Sequence, residues 1–284
     1  MIITGRGGDP ELHEVYGEIR RLGLVEHLAE LEAFGYTVVE GALSDELTSS
    51  LRDTIVRIVE ERSGRTLDVE RETDYSGMAF QPYLLFADPV FKQAVLNPAP
   101  LALITYLLGR HCVLSSLGCH LKGPGGHGLV LHSDQANGVP QPFPAMSLVA
   151  NCNYALTDYT LEAGALAMVP GSHRRYRQPT RQELRLDSPE AIPVEVPAGS
   201  AVIWHGATWH GSYPRQIPGL RINLSTFFCR PHLLAQENYR DHLPPGYLDG
   251  EDPRLGRLLG TDLAYGWTED GPTKPFAPQH SWLA

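Results

Sequence analysis

Two histidines and one aspartate in the second half of the chain have the residue types and spacing of a metal site. His132 and Asp134 are two residues apart, His210 follows later, and Arg221 lies eleven positions beyond His210. Two histidines and one carboxylate can bind non-haem Fe(II) on one face and leave the opposite positions open for a co-substrate and oxygen. An arginine beyond them could hold a carboxylate of that co-substrate. We therefore predict an oxidative metal site if these four side chains converge.

The pair His132 and Asp134 is a weak signal by itself. Alternate side chains of a β-strand share a face, so these two would point the same way and Ser133 would point away. The chain has 12 histidines and 33 acidic residues, and about one His-x-Asp or His-x-Glu pair is expected by chance from such a composition. A hydrogen-bonded pair without a metal is therefore the alternative.

A predicted strand from Leu220 to Phe228 strengthens the interpretation. It would place Arg221, Asn223 and Ser225 on one face, opposite an apolar face that packs under helices. An inward guanidinium is costly to bury without an anionic partner, which would be a structural aspartate or a bound carboxylate.

The predicted strand from Met146 to Leu156 carries Asn151 and Asn153 together on one face. A pure core would be apolar on that side, so polar side chains that line an interior indicate a binding site.

The first third of the chain is predicted to be helical. Apolar residues recur every three or four positions from Glu11 to Phe34, although Gly17 and Gly23 weaken this pattern. After an extended piece at 36–39, Ser44 is the expected N-cap of a second helix that stops at Gly64. A third helix is expected from Pro100 to Leu108.

From His111 onward the apolar pattern changes to a period of two, with turn residues between the segments. This pattern is typical of an antiparallel sandwich or barrel, and eight strands match a double-sheet jelly roll. The predicted strands are Cys112 to Leu121, Gly128 to Asp134, Met146 to Leu156, Ala165 to Val169, Ile192 to Val196, Ser200 to His205, Trp209 to Ser212 and Leu220 to Phe228.

The 284 residues include 42% hydrophobic and 20% charged residues, which is enough for one large core. We predict a single domain over 1–284. Residues 1–110 would form a mainly helical support, 111–230 the jelly-roll core and 231–284 a C-terminal cover of short helices and loops.

The composition also argues against some partners. A net charge of −10 is unlike the basic face of a nucleic-acid-binding protein, so we expect a small-molecule substrate. No apolar run approaches the roughly 18 residues of a membrane span, and we expect a cytoplasmic protein. The four cysteines lack metal-site spacing and are expected to be buried free thiols. The oligomeric state is not indicated.

The chain resembles the phytanoyl-CoA dioxygenase-like group of Fe(II)/2-oxoglutarate oxygenases. An ordered set of motifs is more specific than any one of them. The matching stretches, in family order, are Phe34 to Gly41 with Leu43-Ser44, Leu121 to Gly125, His132-Ser133-Asp134, Ala155 to Asp158 with Gly164 to Leu166, Val169 to His173, His210-Gly211-Ser212, and Arg221.

The resemblance implies a mainly β fold, a cupin-like double-stranded β-helix with N-terminal and flanking α-helices. It implies that iron is held by His132, Asp134 and His210, and that the distal carboxylate of 2-oxoglutarate is bound by Arg221.

Three further positions resemble places that approach this co-substrate, namely Lys122, Asn153 and Ser212. Many family members carry tryptophan where this chain has Asn153.

By this resemblance the chain is a dioxygenase that consumes O2 and 2-oxoglutarate, releases succinate and CO2, and hydroxylates or otherwise oxidises a C–H bond. Related halogenases lack the carboxylate ligand, so Asp134 favours hydroxylation. A small apolar metabolite or natural product is the expected substrate, and an acyl-CoA is the alternative. Two other classes are a non-catalytic jelly roll that binds 2-oxoglutarate or metal, and a non-oxidative cupin-like metalloenzyme.

Several local patterns compete with this assignment. The sequence from Gly123 to Gly128 satisfies the G-x-G-x-x-G pattern of dinucleotide-binding sites. That pattern must be followed by a helix, whereas a strand is predicted here, so we expect a turn. His205 competes with His210 as the third ligand, and the spacing to Arg221 favours His210. His173 is expected in a turn. An arginine cluster at 174–181 is either a phosphate site or a solvated loop face.

Overall fold

The computed structural model describes residues 10–73, 80–136, 139–261, 267–269 and 271–272. Much of the predicted C-terminal cover therefore lies outside the described residues, and the single-domain organisation stays a prediction. The helices are α1 (Pro10–Arg21), α2 (Val25–Phe34), α3 (Asp45–Ser63), α4 (Val90–Val95), α5 (Pro98–Leu108) and α6 (Pro253–Leu258). None of the helices in the described part of the chain has the length and apolar character of a membrane span.

The strands follow mainly after α5. They are β1 (Tyr36–Val39), β2 (Phe80–Gln81), β3 (Val113–Lys122), β4 (Leu129–His132), β5 (Val149–Ala155), β6 (Leu166–Met168), β7 (Ile192–Val194), β8 (Ala201–His205), β9 (His210–Ser212), β10 (Arg221–Cys229), β11 (Trp267–Thr268) and β12 (Gly271–Pro272).

Two antiparallel sheets form the body of the described residues. The major sheet has the strand order β1-β8-β5-β10-β3-β2, the minor sheet has the order β4-β9-β6-β7, and β11 pairs with β12 alone. The eight strands predicted from the sequence all lie in these two sheets, so the prediction of a jelly roll, or double-stranded β-helix, with flanking helices is confirmed.

The major sheet has one face under the helices and one face toward the minor sheet. Ile222 and Leu224 of β10 are buried in the same apolar cluster as Leu51 and Ile55 of α3. The residues that alternate with them on β10, such as Asn223, line a cavity on the opposite face. The predicted alternation of β10 is therefore confirmed, and it divides the core from the interior of the jelly roll.

The prediction of a single helix from Glu11 to Phe34 is wrong, because the helix is interrupted between α1 and α2. Gly23 has a φ of 71°, and Leu24 N–H donates to the carbonyl of Ile19. A left-handed residue at this position ends a helix and satisfies its last carbonyls. Ser44 and Gly64 flank α3 as predicted, and the Ser44 side chain accepts from Leu47 N–H.

Four of the described elements were not predicted from the sequence, namely α4, β2, β11 and β12. Each is too short for an apolar period to be visible, since α4 has six residues and β2 has two. β2 pairs with the edge of β3, so it becomes recognisable only once β3 is in place.

Candidate functional site

His132, Asp134 and His210 converge where β4 ends, at the edge of the minor sheet. His132 ends β4, His210 begins β9, and the two are partners in the antiparallel register. Their potential ligand atoms and those of Asp134 all lie within 4.8 Å of one another, the one such group found among the described residues. His132 Nε2 is 3.6 Å from Asp134 Oδ1, and His210 Nε2 is 3.4 Å from Asp134 Oδ2. The predicted convergence is present.

Both histidine rings are oriented by backbone carbonyls. His132 Nδ1 is 3.0 Å from the carbonyl oxygen of Val130, and His210 Nδ1 is 3.1 Å from that of Thr208. A carbonyl oxygen only accepts, so each Nδ1 carries the proton and each Nε2 keeps its lone pair. The two lone pairs lie on the side of Asp134, as two ligands of one ion require.

Asp134 is not on a strand, which corrects the prediction that His132 and Asp134 share a strand face. β4 ends at His132, and Asp134 begins a 3-10 turn. The Ser133 N–H and carbonyl are bonded to the Gln178 side chain instead of a neighbouring strand. The chain therefore leaves the sheet at Ser133, and the turn brings the carboxylate beside the two imidazoles.

The Asp134 carboxylate is held by two side chains of the major sheet. Asn151 Nδ2 donates to Asp134 Oδ2 over 2.6 Å, and Trp204 Nε1 donates to the same oxygen over 3.3 Å. The Trp204 ring also packs on His210, with 4.8 Å between centroids. Asn151 and Trp204 therefore connect the two sheets through the site and fix the direction of the carboxylate.

Burial lowers the pKa of His210, against an opposing effect of the Asp134 carboxylate, and His132 lowers it further. His210 is therefore neutral near neutral pH. A neutral imidazole is the form that binds a metal ion.

Gly211 permits the close approach of β9 to β4. A Cβ atom at this position would lie 2.3 Å from the carbonyl oxygen of Leu129 and 3.0 Å from that of Val130. Because these are backbone atoms, a side chain at Gly211 would force β4 and β9 apart. The distance between His132 and His210 depends on this glycine.

The competing histidines lie elsewhere. His205 is buried on β8, where its Nδ1 accepts from Ala207 N–H, and its ring packs on His173. His173 lies in a 3-10 turn. The structure therefore favours His210 over His205 as the partner of His132, as the spacing to Arg221 predicts.

A cavity of about 700 Å³ opens from this cluster between the two sheets. Its lining residues include the three candidate metal ligands and all the predicted co-substrate residues. Residues on the inward face of β10, from Arg221 to Phe227, form one wall. A volume of this size holds a small ligand together with a co-substrate.

Arg221 and Lys122 form the cationic end of the cavity. They are partners across β10 and β3, and Arg221 is 3% exposed. Arg221 Nη1 donates to the carbonyl of Gly164 over 2.7 Å, but its Nε has no hydrogen-bond partner. Lys122 Nζ donates to Ser212 Oγ over 2.6 Å. Neither cation forms a salt bridge within the described residues, so a structural aspartate is not the partner of Arg221.

Burial, together with the charge of Arg221, lowers the pKa of Lys122 to about 7. Two neighbouring cations in a low-dielectric interior repel each other, and an anionic ligand would relieve that repulsion. The orphaned Arg221 Nε and the shifted Lys122 both indicate a carboxylate site.

Asn153 lies behind the arginine. It accepts a hydrogen bond of 3.1 Å from the Tyr159 hydroxyl, and the Arg221 guanidinium lies 5.0 Å from the centre of the Tyr159 ring. Asn153 also lines the cavity, so it orients the ring on which Arg221 rests.

Two contributors to the cationic end were missed from the sequence, the Tyr159 ring and the Gly164 carbonyl. A backbone carbonyl has no residue type to recognise, and a tyrosine beside a turn has many other uses. Gly164 has a φ of 83°, and a Cβ there would approach Lys122 Cδ at 3.1 Å.

The other predicted patterns are structural. Residues 123–128 connect β3 to β4 as a turn, as expected. Arg175 and Arg177 form ion pairs with Glu183 and lie over the Trp209 ring. Arg174 donates to a backbone carbonyl of α2. These contacts favour a solvated loop face over a phosphate site.

The donor set fits an Fe(II) ion, because two imidazoles and one carboxylate meet on one side of an open cavity. The nearby cationic end fits the far carboxylate of a bound dicarboxylic acid. Fold and site together define a jelly-roll protein with a two-histidine, one-carboxylate centre.

Comparison with known proteins assigns the family. Residues 31–222 match the family described as phytanoyl-CoA dioxygenase (PhyH), and the chain belongs to this family of dioxygenases. The dioxygenase af480 of Aspergillus fumigatus is 30% identical over 179 residues, which cover 62% of this chain and 57% of that protein. The chain thus spans little more than half the length of this relative.

Solved structures show the same fold. HygX from Streptomyces hygroscopicus, determined with nickel and 2-oxoglutarate bound, has a TM-score of 0.62 at 16% identity, covering 78% of this chain and 95% of HygX. The epimerase SnoN, in complex with Fe3+, alpha-ketoglutarate and nogalamycin RO, has a TM-score of 0.59 at 20% identity, covering 82% of this chain and 93% of SnoN.

We predict that Gly211→Ala weakens metal binding by at least about tenfold, the usual cost of disturbing the surroundings of metal ligands. The added methyl group would separate β4 from β9 and move His132 away from His210. Gly126→Ala is the matched control, since its nearest atom to a new Cβ is 3.7 Å away. Titration of each apo-protein with Fe(II) under anaerobic conditions measures the affinity. Equal affinities in both variants would contradict the role of Gly211.

Proposed function

We propose that this dioxygenase uses Fe(II) and 2-oxoglutarate to oxidise a C–H bond of a small, largely apolar molecule, with release of succinate and CO2. The observation that carries the proposal is the convergence of His132, Asp134 and His210 beside two cations, Arg221 and Lys122, that have no anionic partner among the described residues. His132, Asp134 and His210 would hold the iron, and Arg221 would bind the distal carboxylate of 2-oxoglutarate.

The iron and its co-substrate, when bound, supply the power to activate O2. The protein contributes orientation. The carbonyls of Val130 and Thr208 direct the imidazoles, and Asn151 and Trp204 direct the carboxylate. Asp134 occupies the third ligand position, which favours hydroxylation or a related oxidation over halide transfer.

Lys122 and Ser212 would complete the co-substrate site. The Lys122 ammonium donates a hydrogen bond to the Ser212 hydroxyl and lies at the same end of the cavity as Arg221. A dicarboxylate at this end would meet two cations and a hydroxyl group, and Asn153 would act through the Tyr159 ring beneath Arg221. This arrangement favours a 2-oxo acid with a second carboxylate over a monocarboxylic one.

The substrate is proposed to be a small natural product or metabolite. SnoN was determined with nogalamycin RO, an organic ligand of this kind. Two arginines of the cluster that could have bound an acyl-CoA phosphate, Arg175 and Arg177, already pair with Glu183, so the acyl-CoA alternative is less supported. The four free, buried cysteines are consistent with the predicted cytoplasmic location.

The first test is an anaerobic titration of the apo-protein with Fe(II) and 2-oxoglutarate. We expect the weak visible charge-transfer band of an iron-chelated 2-oxo acid in the wild type and in His127→Ala, whose exposed ring is no proposed ligand. The band should be absent in His210→Ala, and Asp134→Ala should form no succinate under oxygen. A folded wild-type protein without the band would overturn the proposed function.

Arg221→Met tests the co-substrate site. We expect the Kd for 2-oxoglutarate to rise about 10- to 100-fold, because a charge-assisted hydrogen bond is lost. The Kd for 2-oxopentanoate, which lacks the distal carboxylate, should change little. Both values come from the anaerobic charge-transfer band. An equal loss for both acids would contradict a specific contact between Arg221 and the distal carboxylate.

The pKa of Lys122 predicts a pH dependence of co-substrate binding. Lys122 is cationic below pH 7 and loses its proton as the pH rises, while an anion favours the protonated form. The Kd for 2-oxoglutarate should therefore rise between pH 7 and 9, by up to about tenfold per unit. Lys122→Met should bind more weakly at pH 7 with a flatter profile. Identical slopes in the two proteins would exclude Lys122 as the titrating group.

A further inference from the structure

The part of the cavity not assigned to iron or 2-oxoglutarate is almost free of charge. Among the described lining residues, the remaining ionisable side chains are His120 and His127. Burial, with Arg221 and Lys122 nearby, lowers the pKa of His120 to about 4, so it is neutral near neutral pH. The other side chains on this side are aromatic or neutral polar groups, namely Phe80, Ser116, Ser225, Phe227 and Gln236.

Phe80 and Gln236 reach this cavity from two distant segments. Phe80 belongs to β2, and its ring lies over Gly118, where a Cβ atom would come within 2.6 Å of the ring. The ring also packs on His120, with 4.8 Å between centroids. Gln236 follows β10, and its side-chain oxygen accepts from the Ser116 hydroxyl over 2.9 Å.

One buried carboxylate connects these two segments to β3. Glu237 is 5% exposed. Its Oε1 accepts from Tyr83 N–H over 2.7 Å, and its Oε2 accepts from Leu117 N–H over 3.0 Å. The Tyr239 hydroxyl also donates to Oε2. Glu237 directly follows Gln236, and Tyr83 is three residues after Phe80.

The contacts of Glu237 are specific for a carboxylate. Within the described residues it has no cationic partner, and its negative charge is stabilised by the three donors. Burial and the Glu237 charge raise the pKa of Tyr239, so that hydroxyl remains protonated and donates. Tyr83 has a φ of 62°, a conformation that costs free energy for a tyrosine. The bond to Glu237 helps to hold it.

We propose that Glu237 is a positioning residue that holds Phe80 and Gln236 as one wall of the cavity, and that this wall binds an uncharged part of the substrate. The proposal rests on the proposed function, because it takes the opposite end of the cavity to be filled by iron and 2-oxoglutarate. Phe80 would contact an apolar ring or chain. The Gln236 amide, at the cavity mouth, would bond a neutral carbonyl or hydroxyl group.

The test uses two probes with one ring system and different charge, 1-naphthamide and 1-naphthoate. Each is titrated into the anaerobic protein with Fe(II) and 2-oxoglutarate bound, and the change in the charge-transfer band reports its affinity. We expect the wild type to bind the amide more tightly than the anion, because the free lining groups are neutral.

Glu237→Gln replaces one carboxylate oxygen with an NH2 group. This group would face a backbone N–H, so two donors would meet and one hydrogen bond would be lost. We expect it to weaken 1-naphthamide binding by about tenfold, as for one lost buried hydrogen bond, and to leave the Kd for 2-oxoglutarate within twofold. Hydrogen exchange at the Tyr83 and Leu117 amides should become faster. Glu61→Gln on α3 is the matched control, since its carboxylate is exposed and pairs with Arg57.

Two milder variants keep the test decisive if Glu237→Gln does not fold. Tyr239→Phe removes one donor to Glu237 and retains the ring, and it should weaken the amide probe while 2-oxoglutarate binding stays unchanged. Gln236→Leu alters the wall directly at an exposed position and should weaken the amide without changing the exchange at Tyr83.

Three results would overturn the proposal. The first is that the wild type binds both probes equally well or binds neither of them. The second is that hydrogen exchange becomes faster in Glu237→Gln while the affinity for 1-naphthamide is unchanged. The third is that Gln236→Leu binds 1-naphthamide as tightly as the wild type. In each of these cases the band with 2-oxoglutarate still forms. Absence of that band in the wild type would instead be a failure of the proposed function.

Discussion

Two positive charges placed opposite each other across β10 and β3 set the main electrostatic constraint on the interior of the jelly roll. Arg221 is buried in the interior of the jelly roll and Lys122 beside it is partly buried, and no carboxylate of the described residues pairs with them. Burial of unpaired charge opposes folding, so an anionic ligand that binds here also stabilises the fold. The rest of the interior is arranged around this end, with the metal ligands on the facing sheet and neutral groups beyond them.

The candidate metal centre depends on backbone atoms as much as on its three side chains. The carbonyls of Val130 and Thr208 select the imidazole tautomers, and the turn after His132 turns Asp134 toward them. Asn151 and Trp204 then connect this turn to the major sheet. The centre is thus held by both sheets, so a change in their spacing, as at Gly211, would alter the metal geometry.

Much of the fold could be predicted because strand alternation leaves a direct trace in the sequence. The polar and apolar faces of β10 were visible as alternate residues, and the eight jelly-roll strands were expected at their observed places. The break between α1 and α2 was less visible, because apolar spacing continues across Gly23. Strand β2, which carries Phe80, was not predicted, since two residues have no period and become a strand only beside β3.

The sequence by itself determined which residues can do chemistry: two histidines, one aspartate and an arginine at family spacing, among strands with a polar inner face. Only the tertiary structure decided that Asp134 reaches the site from a turn, that Tyr159 and the Gly164 carbonyl support Arg221, and that Glu237 joins Phe80 to Gln236. The physical reason is that these contacts join segments far apart in the chain, and several of them use backbone atoms that every residue type shares.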